Sequence, residues 1–277
     1  MEFGNKNVHC MHCGRGGTGR RAALRSLWEK SRGSSILLDR TISKRLMYFS
    51  SPLISGMLIK RYKRFLADIE LFDGSFVTAH CPNTGAMRGL LEKGRTILCS
   101  KSDNPSRKYA HTLEGIEENG VMVGINTHRP NVLVKEGLEV GFFDTLKEYV
   151  IQSEVSLHGA TRIDFKLTKE QHPPCFVEVK NVHYKVGEGA FFPDSVTVRG
   201  QKHLRELMML KGQGCRCVMI YVIQRGDVSF MSFAHTIDPL YAALAKEAYD
   251  AGVEMVAVTA KLDAGGLFLS QSVPVIF

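Results

Sequence analysis

The sequence predicts a two-domain protein combining α+β and α/β structure. A small N-terminal β-barrel over residues 47–127 precedes an α/β domain over 128–277, behind an extension, residues 1–46, that is disordered or mis-assigned. Three observations lead there. A chain of 277 residues suits one large or two ordinary domains of roughly 100–200 residues. Short β-branched and aromatic runs separated by turn dipeptides occupy residues 50–127. Beyond about residue 128 strands alternate with helices, the pattern of a sheet covered by helices.

The extension comes first. Of the 36 Lys and Arg and the 28 Asp and Glu, ten and three fall within residues 1–46. Nearly all of the net charge of +8 therefore sits in a segment rich in Gly, Arg and Ser that lacks the apolar periodicity to bury a core. It reads as disordered, or as sequence ahead of a true start at Met47. A basic arm that touches phosphate by charge alone is the competing reading. Cys10-Met-His-Cys13, with His9 and His12, resembles half of a structural zinc site but has no folded neighbourhood to hold it. Seven irregularly spaced cysteines argue for reduced thiols and a cytoplasmic location. No run approaches the roughly 18 apolar residues of a membrane span, and no secretory apolar core is evident, so no membrane partner is expected.

Strand-forming runs follow at 53–60, 64–71, 75–80, 96–100 and 121–126, punctuated by Asp73-Gly74, Gly94 and Asn119-Gly120. Five short strands fit a barrel of the oligonucleotide-binding (OB) type, and a sandwich fragment fits almost as well. Lys60, Arg61, Tyr62, Lys63 and Arg64 place four cations and an aromatic between two strands. Lys101, Arg107, Lys108 and Tyr109 cluster in the loop 100–111. Phosphate contact with base stacking is the functional reading of both; a solvated strand edge guarded by cations is the alternative. The run 81–87 (CPNTGAM) is too polar for a core and is either a structural turn or a cradle of backbone donors for phosphate.

In the second domain, 161–167 (TRIDFKL) and 175–182 (CFVEVKNV) alternate as strands. Residues 199–211 read as a helix with Leu204, Leu207 and Met208 on one face. The apolar run 217–223 is a buried strand. The segment 238–251 is a helix with Asp238 as N-cap, Pro239 in its first turn and Gly252 as stop. A final strand covers 253–259.

The informative constellation is Asp164, Glu178 and Lys180. Glu178 and Lys180 lie two apart on one strand and share a face. Asp164 sits on the preceding strand between Ile163 and Phe165, which are expected to face the other way. If the two strands pair, two carboxylates and an ammonium converge. Carboxylate oxygens suit a hard divalent cation, Mg²⁺ or Mn²⁺. Lys180 could orient or help deprotonate a water attacking a phosphodiester. A half-exposed surface Glu–Lys pair is the alternative, since E-x-K spacing is common. The order of parts favours the first: Asp strand, turn, E-x-K strand, helix with Gln201, buried strand. That order resembles the PD-(D/E)xK nuclease core, with Ile163-Asp164 in place of Pro-Asp. Glu154 could be the additional acid and metal ligand of some members. Gln201 could support the site, although Arg205 departs from the apolar or aromatic residue many members carry there.

The blocks HCPNTGAM (80–87), SDNPSRKYAHT (102–112), RIDF (162–165), EVKNV (178–182) and FPDSVTVRGQKHLREL (192–207) resemble the bacterial sugar fermentation stimulation protein (SfsA) family. The resemblance runs from about Ser51 to the C-terminus, and Val198 departs from the Glu of some relatives. It implies an OB-like barrel joined to a PD-(D/E)xK nuclease-like α/β domain. It also implies DNA as the partner, bound mainly without sequence specificity, and a link to expression of sugar (maltose) utilisation genes. No helix-turn-helix pattern is present that would read a specific sequence. Metal-dependent phosphodiester hydrolysis by Asp164, Glu178 and Lys180 is the alternative function. A sugar-responsive protein without nucleic-acid chemistry is a third.

Overall fold

The computed structural model describes residues 47–157 and 161–277, together with Met1. The extension, with the Cys10–Cys13 pair and its histidines, lies outside the described residues.

Six strands open the described chain: β1 (Ile54–Tyr62), β2 (Leu66–Leu71), β3 (Phe76–His80), β4 (Thr96–Lys101), β5 (His111–Glu118) and β6 (Val121–Gly124). They hydrogen-bond in the order β3-β2-β1-β4-β5-β6. A short parallel contact, Ala79 with His111 and His80 with Thr112, joins β3 to β5 and closes the sheet into an OB-like barrel. Leu58, Ile69, Ile97, Leu113, Ile116 and Val123 fill its interior.

The strand that completes the barrel, β5, does not stand out in the sequence. Its residues HTLEGIEE carry three glutamates and a glycine, which blurs the apolar alternation. Glu114 is nevertheless buried. Its carboxylate accepts hydrogen bonds from Ser100 Oγ (2.7 Å), Asn126 Nδ2 (2.9 Å), Arg129 Nε (2.9 Å) and Arg129 Nη2 (2.5 Å). A buried carboxylate is tolerated when it is paired and fully hydrogen-bonded.

The α/β domain begins with α1 (Arg129–Glu139) and a 3-10 turn at Asp144–Leu146. Next come β7 (Val150–Leu157), β8 (Thr161–Thr168), β9 (Cys175–Val182), β10 (Tyr184–Val186), β11 (Gly189–Phe192) and α2 (Val198–Gly212). β12 (Arg216–Ile223), β13 (Phe230–Phe233), α3 (Pro239–Asp250), β14 (Glu254–Leu262), β15 (Leu267–Val273) and β16 (Val275–Ile276) complete it. The main sheet has the order β15-β14-β12-β9-β8-β7, with β9, β12 and β14 parallel and the outer strands antiparallel. A smaller sheet, β10-β11-β13-β16, lies beside it.

One face of the main sheet packs on α2 and α3 through Leu204, Leu207, Met219, Tyr221 and Tyr241. The other packs on α1 through Leu133, Val134, Val177, Val179 and Ile220. Asp238 caps α3 as expected, accepting from Tyr241 N (2.9 Å), and also accepts from Thr197 N (2.9 Å) at the start of α2. The cap therefore fixes both helices against each other.

Barrel and α/β domain share a polar seam. Gly124 N donates to Gln224 O (2.7 Å), and Gln224 Nε2 to Asn126 O (3.0 Å). A Cβ on Gly124 would lie 2.4 Å from Gln224 Oε1, so this close approach requires glycine. Met87 N donates to Asp194 Oδ2 (2.8 Å), and buried Arg225 donates to Glu118 Oε2 (2.8 Å). Among the described residues no helix is long and apolar enough to cross a membrane.

Candidate functional site

β8 and β9 pair antiparallel at Phe165–Val177, Lys166–Phe176 and Leu167–Cys175, and the ladder stops there. At the next position Asp164 Oδ2 accepts from Val179 N (2.8 Å), a donor the ladder leaves free. Asn131 Nδ2, in the first turn of α1, donates to Asp164 Oδ1 (2.7 Å). The divergence of the strands separates the two neighbours of Asp164. Ile163 joins the core under α2 and α3 and Phe165 the core under α1, which corrects the expectation that both face away from it together.

Glu178 is only 2% exposed. Its Oε1 accepts from Lys180 Nζ (2.5 Å) and bonds His203 Nδ1 on α2. Lys180 Nζ stands 3.2 Å from the same His203 nitrogen. The other oxygen, Oε2, is buried with no hydrogen-bond partner among the described residues. Leaving such an acceptor unsatisfied costs about 1–3 kcal/mol, and more when it is charged.

The carboxylates sense each other. Burial, and then the charge of Glu178, raises the Asp164 carboxyl above its ordinary value despite the donors on it. Burial also pushes Glu178 upward, but Lys180 and His203 outweigh it and hold Glu178 below its ordinary value. The result is an ionised carboxylate with one buried free oxygen beside a second carboxylate that it repels. That donor set fits a hard divalent cation, which neutralises the repulsion and takes up the free oxygen. The described residues contain no group of three or more His, Cys, Asp or Glu that could hold a metal. Asp164 and Glu178 could hold such an ion only with other ligands, such as waters, completing its shell.

The remaining expected site residues lie elsewhere. Gln201 is buried, and its Nε2 donates to Asp238 Oδ1 (2.9 Å) and Oδ2 (3.1 Å), tying α2 to the cap of α3 and not to the carboxylates. Glu154 stands on the edge strand β7 with a left-handed backbone (φ 53°). It forms an exposed ion pair with Arg162 (2.8 Å). Two neighbours of the pair, His203 and Asn131, carried no signal in the sequence. His203 is two residues from Gln201 in a polar stretch of helix, and Asn131 is 33 residues from Asp164.

The two cationic segments meet at one end of the barrel. Cys81 N donates to Phe65 O (2.7 Å), His80 pairs with Thr112, and Lys101 with His111, so turn 63–65 and loop 102–110 lie side by side. In OB barrels the loops between the first and second strands and between the fourth and fifth take part in ligand binding. Lys63, Arg64, Lys101, Arg107 and Lys108 are exposed there, and none has an acidic partner among the described residues. Burial, then Arg107 and His128, depresses His80; burial, then Lys101, depresses His111.

Three members of the first cluster have intramolecular roles. Lys60 pairs with Asp68 (3.5 Å), and Tyr62 OH donates to Asp68 Oδ1 (3.1 Å). Arg61 Nη2 donates to the carbonyls of Arg64 (2.6 Å), Asn83 (2.7 Å) and Gly85 (3.0 Å), holding the 81–87 loop. Thr127 Oγ1 donates to Pro82 O (2.6 Å), which sets the start of α1, and so Asn131, against the cationic end. The cations without an acidic partner and the carboxylate pair are thus linked through one short helix.

Known proteins share this architecture. Residues 59–125 match the family model described as the SfsA N-terminal OB domain, and residues 128–266 that described as the sugar fermentation stimulation protein RE domain. The sugar fermentation stimulation protein homolog of Geobacter sulfurreducens is 47% identical over 231 residues, 83% of this chain and 99% of that protein. The homolog of Pelobacter propionicus is 48% identical over 226 residues, 81% of this chain and 98% of its own. Among solved structures, Pyrococcus furiosus SfsA in complex with Ca²⁺ superposes with a TM-score of 0.78 at 27% identity, covering 85% of this chain and all of that one.

Proposed function

The chain belongs to the sugar fermentation stimulation protein family, and from that membership and the carboxylate pair we propose that it binds DNA and hydrolyses phosphodiester bonds with the help of Mg²⁺ or Mn²⁺. The observation that carries the reading is the buried, unpartnered Oε2 of Glu178 beside Asp164. The Ca²⁺ of the Pyrococcus relative, a hard cation with the same preference for oxygen, supports it.

DNA enters along the cationic barrel end, where Lys63, Arg64, Lys101, Arg107 and Lys108 contact phosphates irrespective of sequence. The first turn of α1 passes the strand on to the carboxylates. Asp164 and Glu178 would hold the divalent ion, which would supply Lewis-acid stabilisation of charge on the phosphate. Asn131 and the Val179 amide fix the Asp164 carboxylate. Lys180 keeps an ammonium beside the carboxylates, from where it orients the attacking water and offsets developing negative charge. The family's link to sugar-utilisation genes would follow from DNA binding, with this protein as a non-specific participant.

A second reading, binding without cleavage, is favoured by Asp164, both of whose oxygens already accept hydrogen bonds. Incubation of duplex DNA, single-stranded DNA and RNA with Mg²⁺ or Mn²⁺ separates the two. Hydrolysis is expected from the wild type and not from Asp164→Ala. Retention of DNA at low salt with no metal-dependent cleavage of any polymer would leave the binding reading, and no retention at all would remove both.

A further inference from the structure

We propose that His203 is a positioning residue for the cation site: it turns Glu178 so that Oε1 is held by the protein and Oε2 is presented to the ion. This inference rests on the cation-binding reading above.

His203 is 3% exposed and reaches Glu178 from α2, across the face of the sheet. Its far nitrogen, Nε2, accepts from Arg199 Nε (3.4 Å), one helical turn earlier. With Nε2 accepting, a neutral imidazole has its proton on Nδ1 and can donate it to Glu178 Oε1, while Lys180 Nζ, which can only donate, gives its hydrogen bond to Glu178. Arg199 at Nε2 and burial of the side chain together hold the ring in place. Metal-ligating side chains are commonly oriented by such outer partners.

Lys180 alone would not do this. It shares a strand with Glu178, two residues away, on a flexible four-carbon stem. With only Lys180 as partner, Glu178 could rotate and place both oxygens around the ammonium, closing the oxygen that the ion needs. Gln201 cannot substitute for His203, because both of its amide contacts are to the carboxylate of Asp238. Among the described residues His203 bonds Glu178 and stands beside Lys180, with no hydrogen bond or ion pair to Asp164, so its part is to orient one ligand.

The test is direct calorimetric titration of Mn²⁺ into the full chain without DNA, comparing wild type, His203→Leu, His203→Gln and Arg199→Ala. His203→Leu should weaken Mn²⁺ binding on the order of 10–100-fold. His203→Gln, whose amide can donate to the same oxygen, should stay within roughly threefold of wild type. Cleavage by His203→Leu should recover at saturating Mn²⁺ with its KM for DNA unchanged, a recovery that a collapsed core would not show. If His203→Leu does not fold, exposed Arg199→Ala carries the test: it should weaken Mn²⁺ binding severalfold, and an unchanged affinity overturns the inference. Wild-type affinity in His203→Leu, or equal losses in the Leu and Gln variants, overturns it as well. A wild type that binds no Mn²⁺ overturns the cation reading and this inference together.

Discussion

Adding Mn²⁺ to the cation-free protein should raise its thermal unfolding midpoint, because the proposed site exists only when the sheet is formed. Asp164 and Glu178 come from different strands, and their distance apart is set by the divergence of β8 and β9 and by Asn131 on α1. In the unfolded chain, 14 positions of flexible backbone separate them, and the ion loses its paired ligands. An ion at one hundred times its dissociation constant stabilises the folded form by about 2.7 kcal/mol. For a folded part of 150–250 residues each kcal/mol moves the midpoint by about 2–4 °C. The expected shift is therefore roughly 5–10 °C, reached by differential scanning calorimetry with and without Mn²⁺ at moderate salt. Asp164→Ala and Glu178→Gln should each abolish most of the shift, while Glu154→Gln, which touches only an exposed ion pair, should keep it. A wild type that shows no shift, or an Asp164→Ala protein that shows the full one, would refute the placement of the ion between these carboxylates.

Combining Lys63→Ala, Arg64→Ala, Arg107→Ala and Lys108→Ala should weaken DNA binding and flatten its dependence on log salt by about 0.9 per lost duplex phosphate contact. A fluorescence-anisotropy titration at several salt concentrations reads this, and an unchanged slope would place the DNA elsewhere. Arg129→Met leaves Glu114 buried without its main partner and should cost about 3–5 kcal/mol in chemical denaturation; a loss below 1 kcal/mol would show that Ser100 and Asn126 suffice. Burial pushes Asp227 upward, but Arg225 and Lys185 outweigh it and hold its carboxyl at about 2, below the ordinary 3.8. Because the folded value is the lower one, its stabilising contribution is present above pH 3.8 and is lost as pH falls toward 2, so Asp227→Asn should flatten that limb of the stability profile. An unchanged acid limb in the variant would remove Asp227 from the acid response.

Much of the α/β domain can be read from local pattern. The alternation in β8 and β9, the apolar run of β12, and the cap Asp238 with Pro239 and Gly252 around α3 are all short-range signals. The E-x-K spacing and the order of strands by themselves place Asp164, Glu178 and Lys180 on neighbouring strands. What the sequence hides depends on distant partners. β5 is masked by Glu114, whose burial makes sense only beside Arg129 and Asn126. α1 is obscured by the contiguous Val132, Leu133 and Val134, which read equally well as strand. Gln201 sits on a helical face that points at the carboxylates as readily as at Asp238, and the folded chain takes the second. His203 becomes legible only when α2 is laid across β9, and Arg61 looks like a DNA contact until the carbonyls of the 81–87 loop are seen around it.

Anomalous diffraction from crystals grown with Mn²⁺ bears most directly on the cation pocket. A single strong manganese peak is expected within ligand distance of Glu178 Oε2 and one oxygen of Asp164, with His203 still on Oε1. Manganese bound only at surface acids, with Glu178 Oε2 still bare at saturating metal, would contradict it.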